Sequence, residues 1–282
     1  MGNSDPILQL LKEFGYSAVR LPRESIRPLQ VVEKQKDALT ILGELSDLFS
    51  GGQSLPAVGP DRQAAFINGK KSRTLDISVG LSLLGGIIGS MTGSKLKLDA
   101  AYKRASSLTF EFEDVQVSEV NQLAVNKFIS GNKVEASVGG GILKALEEDR
   151  LYVITSIVKS KKFKTQTTQS DGSSAQVDIP VIKEIVGGTV QIQSGGSSDS
   201  NITFEGANPL VFGFQAAQME FEKGIFKGLK QAKTAESALR GEPQEAKFEL
   251  LETTGPFANL SEQPKRKGSA STTRSKSRGS QG

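Results

Sequence analysis

The chain has 282 residues, enough for one large domain or two small ones with a buried core. It contains no Cys and no His, which excludes disulfides, thiolate metal sites, cysteine nucleophiles and every Ser-His-Asp arrangement. The formal charge of +4 resides in the end of the chain: residues 263–282 hold six basic side chains and no acidic one, leaving the first 262 at −2.

No paired carboxylate or lysine signature stands out in what remains. No catalytic residue, metal ligand or cofactor is therefore expected, and the chain is not read as an enzyme. The opening MGNSDP lacks the basic and apolar regions of a secretory signal. Pro6 stands where a myristoylation start would need Ser or Thr. No run reaches the roughly 18 apolar residues of a spanning helix.

In chain order, Asp5 and Pro6 suit a helix start, Ile7, Leu10, Leu11 and Phe14 recur at helical spacing, and Gly15 supplies a stop. Residues 16–21 read as extended, with Pro22 and Pro28 preventing the helix from resuming. A second helix is expected at 33–49, on the spacing of Leu39, Leu42, Leu45 and Phe49, followed by a loop at "SGGQSLPAVGPD".

From about residue 64 to 222 the dominant period is two. Ile77, Val79, Leu81 and Leu83 alternate with Ser or Gly, which predicts a strand. "GGIIGSMTG" reads as turns. Leu96, Leu98, Ala100 and Tyr102 then alternate with Lys95, Lys97 and Asp99, and Leu108, Phe110 and Phe112 with Thr109, Glu111 and Glu113. Helices are expected near 118–130 and 141–148.

The stretch "DRLYVITSIVKSKKFKTQTTQ" predicts a long strand. Asp171-Gly172 marks a hairpin turn, and Val177, Ile179 and Val181 alternate on the return arm, with Val190 and Ile192 beyond. "PLVFGFQAAQMEFEKGIFKGL" predicts a strand, a turn at Glu222-Lys223-Gly224 and a short return strand, with a helical piece at 230–239. Beyond Gly241 the chain is polar, apart from an apolar island at "FELLETTGPFANL". Residues 263–282 are too poor in apolar side chains to fold.

Alternating strands ordinarily form a sheet with one face on a core and one in water. These arms are longer than the usual strand of about 5–6 residues and reach the roughly 9–11 that a tilted membrane strand requires. They come as two pairs, and several copies of two long hairpins could close a barrel that leaves no edge in lipid. Two readings stand side by side: a pore-former, and a soluble β-rich binding or scaffold protein with no membrane activity.

The run "LLKEFGYSAVRLPRESIRPLQVV", the two hairpin pairs and the late "NPLVFGFQAAQMEFEKG" resemble the bacterial gasdermins over roughly residues 5–260. The resemblance implies an α+β fold, a twisted central antiparallel sheet with surrounding helices. It implies a pore-forming domain at 1–240, a short autoinhibitory segment at 241–262 and a basic tail at 263–282. It also implies a partner protease encoded nearby, caspase-like or trypsin-like, that removes the inhibitory segment. The freed monomer then oligomerises on the inner membrane as a β-barrel pore and kills the cell in phage defence.

The first membrane hairpin would be about 75–113, with Ile77, Val79, Leu81, Leu83, Leu96, Leu98, Leu108, Phe110 and Phe112 facing lipid. The second would be about 151–193, with Val177, Ile179 and Val181. Phe248, Leu250, Leu251, Phe257 and Leu260 form the expected inhibitory island, and Arg240, Leu250 and Leu251 are candidate cleavage positions. Arg20, Arg23 and Arg27 are candidates for anionic lipid headgroups. No folded nucleic-acid motif accompanies the basic tail, so nucleic acid is not expected as a partner. Bacterial gasdermins commonly carry an acylated Cys near the N-terminus; Asn3 and Ser4 stand there in this chain, and with no Cys thioester acylation is excluded.

Overall fold

The computed structural model describes residues 11–35, 38–93, 96–195 and 199–231. Its first half contains β1 (Ser17–Arg23), β2 (Gln30–Gln35), β3 (Ala38–Glu44), α1 (Leu45–Leu48), β4 (Phe49–Gly51), β5 (Arg62–Gln63), β6 (Leu75–Asp76), α2 (Ile77–Thr92), β7 (Ser107–Glu113) and β8 (Gln116–Glu119). The second half contains α3 (Gln122–Gly131), β9 (Asn132–Val134), α4 (Gly140–Glu147), β10 (Leu151–Thr168), α5 (Ile179–Val186), β11 (Gln191–Gly195), β12 (Asn201–Glu222) and β13 (Ile225–Gln231). The fold is α+β.

The architecture hangs on one antiparallel pair of unusually long strands, β10 with 18 residues and β12 with 22. The main path of the sheet is β1-β12-β10-β2-β3, and shorter strands fill the remaining edges: β7 and β8 on β10, β11 and β13 on β12. All of these pairings are antiparallel.

One level of the sheet interrupts the pairing. Between Ser160 and Lys162 the β10–β12 register shifts, leaving residues 206–209 of β12 out of the ladder. On the other side of β10, β7 gives way to β8 through Asp114, whose φ is 50°. Ser160 Oγ donates to the Glu113 carbonyl oxygen at 2.5 Å and accepts from the Lys162 N–H at 2.9 Å, closing the irregularity. Such bulges bend a strand locally and fix its register.

The packing divides accordingly. Beyond the irregularity, a large core gathers Leu108, Phe110 and Phe112 of β7, Phe163 of β10 and Phe204 of β12 under α2 and α5. Rings stack within it: Phe112 on Phe212 at 4.1 Å and Phe163 on Phe204 at 5.1 Å between centroids. A second core lies under α3 and α4, built on Phe128, Leu146, Val153 and Met219.

Several expectations hold. A helix ends at 11–13 with Gly15 at φ 75°, β1 covers the extended run, and α3 and α4 stand where helical spacing placed them. β7, β10, β11, β12 and the β12–β13 turn at Lys223-Gly224 also follow the sequence.

Five expectations are corrected. Residues 33–49 are the end of β2, then β3, α1 and the start of β4 rather than one helix. Leu39 is buried, Thr40 exposed and Ile41 half-buried, a period of two that four widely spaced apolar residues had masked. Residues 77–83 open the helix α2 rather than a strand. Residues 96–102 are turns rather than a strand, with Leu98 and Tyr102 buried. The return arm carrying Val177, Ile179 and Val181 is not a strand: Asp178 caps Val181 N–H at 3.2 Å and starts α5. The 230–239 helix is replaced at its start by β13, and its remainder lies outside the described residues.

Phe163 is 2% exposed and sits between Phe110 and Phe204. Phe163→Ala is expected to cost about 3–5 kcal/mol of folding stability, read as a lowered midpoint in urea unfolding.

Candidate functional site

The apolar side chains that sequence alternation singled out come together in one place, although most are not on strands. Leu98, Leu108, Phe110, Phe112 and Val177 are buried in the large core. Ile77, Leu81, Leu83, Leu96, Ile179 and Val181 pack against it half-buried. Val79 alone stands out, 50% exposed on the outer side of α2.

The element that covers this core is unusual in composition. α2 runs through 16 residues with no charge, four of them glycine. It forms because both ends carry signals that compete with the alternation. Asp76 Oδ1 accepts from Ser78 N–H at 2.9 Å, and Gly93 at φ 73° closes the C-terminus with its N–H on the Gly89 carbonyl at 2.8 Å. Its buried residues Gly80, Leu84, Ile87 and Ile88 fall on one helical face.

Glycine here serves close approach. A Cβ on Gly80 would lie 2.8 Å from the Leu108 Cβ, so the helix backbone rests directly on β7. A Cβ on Gly206 of β12 would lie 3.1 Å from the Met91 sulfur at the other end of α2.

The opposite face of the same strands is ionic. Lys164 Nζ lies 2.7 Å and Lys162 Nζ 3.2 Å from the two oxygens of Glu113, and Lys161 Nζ lies 2.8 Å from Glu205. The three-strand patch β7–β10–β12 therefore presents an aromatic face to the helices and a charged face away from them. The carboxylate and ammonium groups bear on one another; they do not converge on a cavity with a nucleophile or base. Among the described residues, no cluster of potential metal-ligating side chains occurs.

The remaining candidates are dispersed. Arg20 and Arg23 lie in β1, and Arg27 is exposed on the loop that follows. Arg27 lines an open groove of about 790 Å³ with Ile26, Leu29, Leu55 and Val58. Arg240, Phe248, Leu250, Leu251, Phe257 and Leu260 lie outside the described residues. Phe163, Phe204 and Phe212, which complete the aromatic face, were not singled out by sequence. Their alternation within long strands was the available signal.

The profile of the Bacterial Gasdermin Family matches residues 19–225. The chain belongs to the bacterial gasdermin family. A gasdermin from a Desulfuromonadales bacterium is 37% identical over 261 residues, covering 91% of this chain and 97% of that one. Another, from Vitiosangium sp., is 38% identical over 228 residues, covering 80% and 83%. The solved structure of a bacterial gasdermin from Bradyrhizobium tropiciagri shares the fold, with a TM-score of 0.59 at 14% identity over 82% of this chain and 92% of that one.

As a gasdermin the protein is a pore-forming cell-death protein and not an enzyme. No helix among the described residues is long and apolar enough to cross a membrane.

Because Gly80 sets the seat of α2, Gly80→Val is expected to lift the helix off Leu108. Faster limited proteolysis within 77–93, together with a lower melting midpoint, checks this.

Proposed function

We propose that the described arrangement is the dormant state of a gasdermin whose pore is released by proteolysis. The observation that supports this reading is the helix α2: a charge-free, glycine-rich segment that hides its apolar side chains against Leu108, Phe110 and the rest of the same core. The stripes at 75–113 and 151–193 are long enough to span a bilayer when extended and leave no unpaired backbone if several copies close a barrel.

The lock in this reading is the segment 241–262. Its island of Phe248, Leu250, Leu251, Phe257 and Leu260 gains about 1.5–3 kcal/mol for each large side chain fully buried, enough in sum to hold a metastable fold closed. A protease encoded nearby cuts between Leu239 and Gln263, after Arg240 if trypsin-like, or at Leu250 or Leu251 with another specificity. The released monomers collect on the inner membrane, with Arg20, Arg23 and Arg27 meeting anionic headgroups, and assemble into a pore that ends the infected cell.

The test is the full chain carrying an engineered protease site between Gly241 and Glu242. Cutting it in the presence of dye-loaded vesicles of anionic lipid is expected to release the dye, and uncut protein to leave it inside. Vesicles that stay intact after complete cutting, with the cut protein still monomeric, overturn the reading.

A further inference from the structure

The short strand β6 pairs with β7 in a defined register, Leu75 opposite Leu108 and Asp76 opposite Ser107, and the next residue continues it: Ile77 N–H donates to the Ser106 carbonyl at 3.0 Å. There the ladder stops, because α2 begins. Each further step would move one residue forward from Ile77 and one back from Ser106. Carried through, that register brings Ser90 opposite Gly93 and leaves Met91-Thr92 as a two-residue turn, the commonest connection of antiparallel strands.

The same arithmetic sorts the side chains. Residues opposite each other in a ladder point to one face. Leu81 then faces the same way as Tyr102 and Leu83 the same way as Ala100, and both pairs continue the face of Leu108, Phe110 and Phe112. Lys97 and Lys103 fall on the other face, with the charged side of β7. Three residues run against this sorting: Leu84 and Ile88 fall on the charged face, and Arg104 lies opposite Val79 close to the start of the ladder, where a long side chain reaches the headgroup layer. A shift of the register by one residue would put the two stripes on opposite faces.

We propose that the Leu75–Asp76 pairing with β7 is the nucleus of the first membrane hairpin, and that its present register is the register of the pore. The inference rests on the barrel reading above. On activation α2 unwinds from its capped start and zips onto residues 93–106, giving arms 75–90 and 93–108. Each step exchanges an intrahelical hydrogen bond for a ladder bond, and the outward backbone groups of the two arms are met by neighbouring strands of the closed barrel. The four glycines lower the cost of leaving the helix.

The chain has no Cys, so within one copy two introduced thiols can pair only with each other, and non-reducing electrophoresis separates that pair from a crosslink between copies. Asp76→Cys with Ser107→Cys ties the nucleus in its present register. Ser82→Cys with Ala101→Cys reports the register of the pore, and Ser82→Cys with Lys103→Cys reports a register two residues away. All three are placed in the full chain with the engineered site and cut on dye-loaded vesicles.

Dye release within about twofold of the reduced form is expected from the oxidised 76–107 pair, together with crosslinking of 82 to 101 and not to 103 in the pore. A pore that forms with 82 crosslinked to 103, or one that needs the 76–107 pair reduced, overturns this inference and leaves the barrel reading standing. No dye release from the reduced, cut protein overturns the barrel reading, and this inference with it.

Discussion

Everything in this fold depends on keeping one aromatic surface away from water. β7, β10 and β12 cannot avoid creating it, because their alternation sends Phe110, Phe112, Phe163 and Phe204 to the same side. A sheet with such a face requires a cover, and the cover has to be apolar toward the sheet. α2 meets that need with small and aliphatic side chains and a backbone close enough to touch Leu108. The ion pairs of Glu113 with Lys162 and Lys164 follow from the same constraint, since the other side of these strands must be wettable.

The two halves of the sheet are built differently. Toward the start of β10, short strands and the helices α3 and α4 surround a second core, and the β10 end is tied down by Arg150, which pairs with Glu33 and, at 2.7 Å, with Glu148. Past the irregularity at Ser160–Lys162, the cover consists of α2, α5 and turns whose apolar residues are mostly half-buried. Local stability differs across a protein in this manner, and elements that move are drawn from the weaker end. The long strands run through both halves, so a change in one is anchored by the other.

Much of this was legible in the sequence. β10, β12 and the turn at Lys223-Gly224 followed from alternation and glycine placement, and the class of fold from the gasdermin-like run at the N-terminus. What was misread was misread for one reason. In 77–83 the apolar residues satisfy a period of two, while Ile77, Leu81, Leu84 and Ile88 satisfy a helical one; the caps Asp76 and Gly93 decide between them. The run at 175–182 repeats the ambiguity, decided by Asp178 and by Gly187 at φ 67°. At 33–49 the error ran the other way, because an edge strand with Gly43 inside it looks like a helix when only leucines are counted. Side-chain pattern alone cannot separate two backbones that bury the same residues; the ends of the element can.

The glycines of α2 have a bearing on reversibility. A segment of 16 residues with four glycines has too little intrinsic helicity to hold its shape in isolation. It is helical because β7 and β12 give it somewhere to lie. Away from that seat the same residues would have no preference for the helix, so a return to it depends on the seat still being open.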